Sequence, residues 1–276
     1  MSASFVVVPQ WQASGSDRAM LLVDGAEAIR GDLPAASTIT VDVPLEAGTN
    51  MGTGIARAGS LRMVHERTRE ALAGIDGLAI TIGGDCGVSL ASIGYANEVR
   101  GGDMAVVWLD AQPDLNTVET SPSGCFAGMV LRAIAGDGAV GLVPTLPVAP
   151  ARIILAGARE FDEGEDAFIT ANAVTALSVE QLATPDAVLA AIAATGATSV
   201  YLHIDVDVLD PSEITGVSNA VPFGVSAFEL IDLVRSVAAA YEIAGASITQ
   251  FAPASPEAAL EDLPTLLRVI GAIAGK

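Results

Sequence analysis

The residues best placed to do chemistry together are two sets of carboxylates. Asp110, Gln112 and Asp114 lie in Trp108-Leu109-Asp110-Ala111-Gln112-Pro113-Asp114-Leu115-Asn116. Asp205 and Asp207 lie in Leu202-His203-Ile204-Asp205-Val206-Asp207. Each set follows an apolar run that reads as a buried strand. In an extended chain alternate side chains share a face, roughly 6.6 Å apart per two-residue step. Each set can therefore converge on one point and offer hard oxygen ligands to a cation. A lone pair of this kind also serves to cap a turn or a helix. Two sets behind two apolar strands favour a metal site.

The elements that must position these groups alternate along the chain. Apolar or β-branched runs at Phe5–Val8, Thr38–Val43, Leu78–Ile82, Met104–Leu109, Arg152–Ala156, Ser199–Ile204 and Ile243–Thr249 predict strands. Helical spacing is expected over residues 17–30, 60–73, 87–99, from Ala127 to before Gly136, and over 161–172. Ser178-Val179-Glu180-Gln181 and Ser226-Ala227-Phe228-Glu229 have capping-box spacing and predict helices to about Ala194 and Ala240. Ser255-Pro256 opens the last helix with proline at its first position. Residues 44–59, 115–126 and 138–150 read as loops or connections. The alternation predicts one α/β domain spanning residues 1–276, with a mainly parallel sheet and helices on both faces. The polar motifs fall just after apolar strands, at the carboxyl edge where such sheets bind ligands.

Composition narrows the function class. Half of the residues are hydrophobic and only 4% aromatic, so the core is built from Ala, Val, Leu and Ile. The formal net charge of −20 argues against nucleic acid or an anionic membrane as partner, since Lys and Arg supply that affinity. No apolar run approaches the roughly 20 residues of a membrane-spanning helix. The first residues lack a basic leader, and a cytoplasmic protein is expected. Two cysteines, Cys86 and Cys125, do not make a disulfide framework.

Four motifs, GGDCGVSL (83–90), WLDAQPDLN (108–116), HIDVDVLDP (203–211) and ITQFAP (248–253), together resemble the arginase–agmatinase family of ureohydrolases. The resemblance covers nearly the whole chain. It implies an eight-stranded parallel sheet, two manganese ions at its carboxyl edge, hydrolysis of a guanidino or amidino C–N bond, a small substrate of which an amino-acid-like molecule is one candidate, and a homo-oligomer. The family's ligand positions map here to Cys86, Asp110, Gln112, Asp114, Asp205 and Asp207, with Asp110 and Asp205 as the bridging carboxylates. Cys86 and Gln112 stand where the family has histidine. A thiolate is softer than imidazole, which admits zinc or iron in place of manganese.

The resemblance also assigns a substrate role to Asn116, Ser123, Asp162 and Gln250. Gln250 replaces a glutamate that holds the guanidinium. Ala127 stands where a histidine would shuttle a proton, and losing proton transfer can cost roughly 10² to 10⁴ in rate. Efficient turnover of arginine is therefore not expected. Asp114 and His203 are the candidate catalytic groups that remain. His203 shares a face with Asp205 and Asp207 if the strand is regular, although an ordinary core histidine has the same pattern. Cys86, opening a helix after a strand, is a possible nucleophile as well as a ligand. The competing expectation is a catalytically impaired relative that binds a small ligand or serves as a structural subunit.

Overall fold

The computed structural model describes residues 3–275. Eight strands form a single sheet: β1 (Ala3–Val8), β2 (Thr38–Thr40), β3 (Leu78–Gly83), β4 (Met104–Leu109), β5 (Ile153–Ala156), β6 (Thr175–Leu177), β7 (Ser199–Asp205) and β8 (Glu242–Thr249). Their order is β2-β1-β3-β8-β7-β4-β5-β6, and every pairing is parallel. The helices are α1 (Leu21–Gly31), α2 (Ala58–Ala73), α3 (Ser89–Val99), α4 (Val130–Ile134), α5 (Glu163–Asn172), α6 (Asp186–Thr195), α7 (Ala227–Ala240) and α8 (Pro256–Ile273).

The two-residue period of the strands sorts the core into two layers. Ala105, Val107 and Leu109 of β4 join Leu202 and Ile204 of β7 under a layer that includes Val188 of α6, Val234 of α7 and Leu266 of α8. Met104, Val106 and Trp108 face the other way, with Tyr201, Leu90 and Ile93 of α3, and Leu131 of α4. Tyr201, His203 and Asp205 lie on that second face, beneath α3.

Several boundaries differ from the sequence reading. The expected strand to Val43 ends at Thr40, although Val41 N still donates to Val7 O at 2.8 Å before the chain leaves the sheet. The first helix starts at Leu21, not at residue 17. The Ser178 capping box forms, but it opens only a 3-10 turn over Val179–Leu182. Pro185 then interrupts the helix, which restarts at Asp186, because proline lacks an N–H and disfavours helical backbone before it. The helix expected from Ala127 is a 3-10 turn followed by five residues of α4. Strand β6 escapes the sequence reading; three residues at a sheet edge are too short to show a period.

A candidate metal centre at the carboxyl edge of the sheet

Both carboxylate sets lie at the carboxyl ends of β4 and β7, but not through extended chain. Strand β4 stops at Leu109. Pro113 follows, and Asp114 adopts left-handed backbone with φ 53°. The chain turns back, and this turn brings Asp114 under the cleft while sending Gln112 to its rim. The Gln112 amide Nε2 donates to Glu160 Oε2 at 2.7 Å, so Gln112 does not join the carboxylate cluster as the alternation had suggested. Likewise β7 ends at Asp205, and Val206–Val208 form a 3-10 turn in which Asp207 N donates to Asp205 Oδ1 at 3.1 Å.

Four donors converge most tightly. Cys86 Sγ, a carboxylate oxygen each from Asp110 and Asp205, and a ring nitrogen of His203 all lie within 4.8 Å of one another. Cys86 Sγ donates to Asp205 Oδ2 at 3.1 Å and accepts from Gln250 Nε2 at 3.2 Å. Ser218 Oγ donates to Gln250 Oε1 at 3.2 Å and orients that amide. Gln250 is itself held in left-handed backbone, φ 67°, with its N–H donated to Gly84 O. Left-handed backbone is uncommon for residues other than glycine, though aspartate tolerates it better than most, and Asp114 and Gln250 both adopt it at the cluster.

His203 is fully buried and stacked on Trp108, with ring centroids 3.4 Å apart and an interplanar angle of 13°. Its Nδ1 lies 2.9 Å from Ser89 Oγ and 3.0 Å from Ser247 Oγ. Its Nε2 has no hydrogen-bond partner among the described residues and lies 3.8 Å from Asp110 Oδ2. Burial lowers the pKa of this ring well below the ordinary value, which keeps the imidazole neutral and able to ligate. Asp114 Oδ2 is a second buried, unpartnered atom.

The electrostatics share one cause. Burial raises the Asp110 carboxyl to about 7, against hydrogen bonds from Gln112 N and the Trp108 indole. Asp114, Asp205 and Asp207 are pushed well above the carboxylate range, first by burial and then by neighbouring negative charge. The Cys86 thiol is raised by burial and by Asp114, Asp205 and Asp110. Arg159 favours the charged form of Asp207. Its guanidinium N–H groups, however, go to the backbone carbonyls of Gly157, Asp207, Val208, Leu209, Val221 and Pro222, bracing the loop after β7. Six carboxylates line the open cleft: Asp114, Glu160, Asp162, Glu165, Asp205 and Asp207. None of its described lining residues is Lys, Arg or His. Buried carboxylates of one sign, two orphaned ligand atoms and a thiol together fit a cation.

The sequence pattern of the arginase family matches residues 25–261. The chain belongs to the arginase family. It is 29% identical over 229 residues to an arginase of Bacillus caldovelox, an alignment covering 77% of this chain and 76% of that one. It is 33% identical over 160 residues to an arginase of Entamoeba histolytica, covering 55% and 54%. The solved structure of the Entamoeba histolytica arginase, determined with L-ornithine, superposes with a TM-score of 0.87 at 22% identity over 99% of this chain and 98% of that one. The proclavaminate amidino hydrolase of Streptomyces clavuligerus shares the fold, with a TM-score of 0.73 at 18% identity over 99% and 92%.

Within this arginase-family cleft, Asn116 Nδ2 donates to Asp162 Oδ2 at 2.7 Å, and Ser123 lines the same outer region. Asp162 also caps α5 together with Glu165, whose other carboxylate oxygen accepts from Leu115 N at 2.9 Å. Ala127 lines the inner cleft and presents only a methyl group.

Sequence reasoning missed three supports. Asp85 is fully buried, accepts from Gln10 Nε2, Ala13 N and Gly87 N, and is raised by burial to about 7. A Cβ on Gly84 would overlap the Gln10 carbonyl oxygen, so glycine is required for this close approach. Trp108 holds Asp110 and His203 at once, a role its position two residues before Asp110 could have signalled. Glu160 takes up the Gln112 amide and, at 3.3 Å, that of Asn219.

Proposed function

We propose that this chain is a metal-dependent hydrolase of the ureohydrolase type, cleaving a C–N bond of a small guanidino or amidino substrate and slow on arginine itself. The observation that supports it is the cluster of Asp110, Asp114, Asp205 and Asp207, buried with raised pKa values around the unpartnered Asp114 Oδ2 and His203 Nε2. Cys86, Asp110, His203, Asp205, Asp114 and Asp207 are the residues to hold the cation. Manganese is the family expectation, and the thiol and imidazole add zinc or iron. Such a cation, when bound, polarises the substrate and lowers the pKa of water.

The chain's own groups do the remaining work. Asp114 accepts a proton at Oδ2, taking over part of the duty that Ala127 cannot perform. His203, locked by Trp108, Ser89 and Ser247, keeps Nε2 free to ligate, while the Trp108 indole orients Asp110. Gln250 offers a neutral amide to the guanidino or amidino end. Asn116, Ser123 and Asp162 receive the far, amino-acid-like end. The acidic lining favours a cationic substrate.

A second reading is a ligand-binding or structural relative without turnover. It is favoured by the Ala127 methyl and by the Gln112 amide being tied to Glu160. Metal content by mass spectrometry, paired with urea and ammonia release over a guanidino and amidino panel, separates the two. The hydrolase reading expects bound divalent metal and turnover of at least one compound. Metal without turnover, with activity appearing only in the Gln112→His, Ala127→His double variant, establishes the second reading.

A further inference from the structure

A pair of ions bridged by Asp110 and Asp205 takes one oxygen of each carboxylate per ion. In this chain one oxygen of each is already engaged by the backbone. Asp110 Oδ1 accepts from Gln112 N at 2.8 Å, and Asp205 Oδ1 accepts from Asp207 N at 3.1 Å. Gln112, which stands where the family has histidine, gives its side-chain amide to Glu160 at the rim. What stays together is a single group of Cys86, Asp110, His203 and Asp205, with neither Asp114 nor Asp207 in it.

His203 is the added member. Its Nδ1 meets two hydroxyls, Ser89 Oγ at 2.9 Å and Ser247 Oγ at 3.0 Å, whereas Nε2 has no acceptor within hydrogen-bonding reach among the described residues. The ring proton therefore belongs on Nδ1, where a hydroxyl takes it, and the lone pair belongs on Nε2. A tetrahedral zinc ion, with bonds of about 2.0–2.3 Å, sets its donors roughly 3.3–3.8 Å apart. His203 Nε2 and Asp110 Oδ2 stand 3.8 Å apart. Cys86 Sγ and Asp205 Oδ2 stand 3.1 Å apart, joined by the thiol proton that a cation displaces. Two donor pairs thus have nearly the spacing of one small ion. Cys86 and Asp205 line the inner cleft, so an ion enters past them and meets the buried His203 and Asp110 behind.

We infer, on the basis of the metal-dependent reading above, that this chain holds one zinc ion on Cys86 Sγ, Asp110 Oδ2, His203 Nε2 and Asp205 Oδ2, in place of a manganese pair. His203 supplies the imidazole that is missing at positions 86 and 112. A thiolate and an imidazole among four donors suit zinc, whereas manganese favours a larger set of oxygens. Four protein donors complete a tetrahedral shell, which a substrate atom joins by expansion to five-coordinate.

The full chain is stripped with chelator and dialysed against equal zinc and manganese chloride, and bound metal is counted by mass spectrometry. One zinc per chain is expected, with manganese below about a tenth of it. Two ions per chain, or manganese as the retained ion, overturns the inference and leaves the metal-dependent hydrolase reading standing. Absence of bound metal overturns both. The ligands are read by NMR of the histidine ring nitrogens in isotopically labelled protein, which has two such rings, His65 and His203. Zinc should shift Nε2 of His203 and leave His65 in place; an unmoved His203 overturns its role without any variant. Cobalt(II) chloride in place of zinc should give the intense near-ultraviolet band of a thiolate–cobalt bond. Cys86→Ser should abolish that band and Cys125→Ser should retain it; the reverse overturns the ligand set. His203→Gln should weaken zinc by more than about 100-fold, beyond the roughly 10- to 100-fold that a ligand's hydrogen-bonding partner carries. A smaller loss makes His203 a support for the site and overturns it as a ligand.

Discussion

Without a bound cation, this protein should lose stability as pH rises above neutrality. In the metal-free fold, burial holds Asp110 and Asp85 at about 7 and pushes Asp114, Asp205 and Asp207 well above the carboxylate range. The unfolded chain releases these protons near the ordinary carboxylate value of about 4. Between the two values the folded state holds more protons than the unfolded state. The slope of unfolding free energy with pH is then negative. Two histidines oppose this at lower pH: His65 is lowered to about 4 by burial, and His203 is also lowered. Their stabilising contribution grows with pH only up to the unfolded histidine value of about 6.5, so it is constant above it.

The clean window therefore opens at about pH 6.5 and lies below the unfolded cysteine value of about 8.5. Each proton that the folded cluster still holds in that window costs about 1.4 kcal/mol per pH unit. At roughly 2–4 °C per kcal/mol for a chain of this size class, Tm should drop by about 3–6 °C per pH unit for each such proton. The Cys86 thiol adds the same sign only near the upper end. The assay is scanning calorimetry of chelator-treated protein across the window, repeated with saturating manganese or zinc. Bound cation keeps the carboxylates ionised, so the slope should flatten and Tm should rise. A metal-free Tm that stays level or climbs over this window would refute the argument that the four aspartates form one uncompensated buried cluster.

Three other expectations follow from the same geometry. Gly84→Ala forces a Cβ into the Gln10 carbonyl and should cost about 3 kcal/mol, read from denaturant midpoints; a change below about 1 kcal/mol would contradict the close approach. Trp108→Phe removes the indole donor to Asp110 at 3.0 Å and should weaken metal binding about tenfold in chelator competition while leaving the fold intact by circular dichroism; unchanged affinity would remove Trp108 from the site. Cys86→Ser replaces a soft donor by a hard one and should shift competition from zinc toward manganese; an unaltered ratio would show that the thiol is not a ligand.

How much of this could be read in the sequence depends on the range of the forces involved. Met104–Leu109 and the Ser226 box are local signals, and strand and helix form there as the pattern dictates. The convergence of Asp110 and Asp114 was legible as chemistry but not as geometry. Alternation treats the stretch as extended, whereas Pro113 and a left-handed Asp114 make a turn that expels Gln112. Ser178 shows the same limit, since its cap forms and Pro185 seven residues later decides where the helix begins. The supports at Asp85 and Glu160 depend on partners 75 and 48 residues away, and no local pattern encodes such pairings.

The strand order has a consequence for how the protein is made. Strand β8, residues 242–249, is the last of the eight strands to be synthesised, yet it lies in the middle of the sheet between β3 and β7. Until it emerges, β2-β1-β3 and β7-β4-β5-β6 have no strand to join them, and each half leaves an inner edge open. Closure waits on contacts that span most of the chain, which is the slow end of folding topologies. Synthesis that stalls before residue 242 therefore leaves two sticky half-sheets, each able to pair with the matching half of another nascent chain.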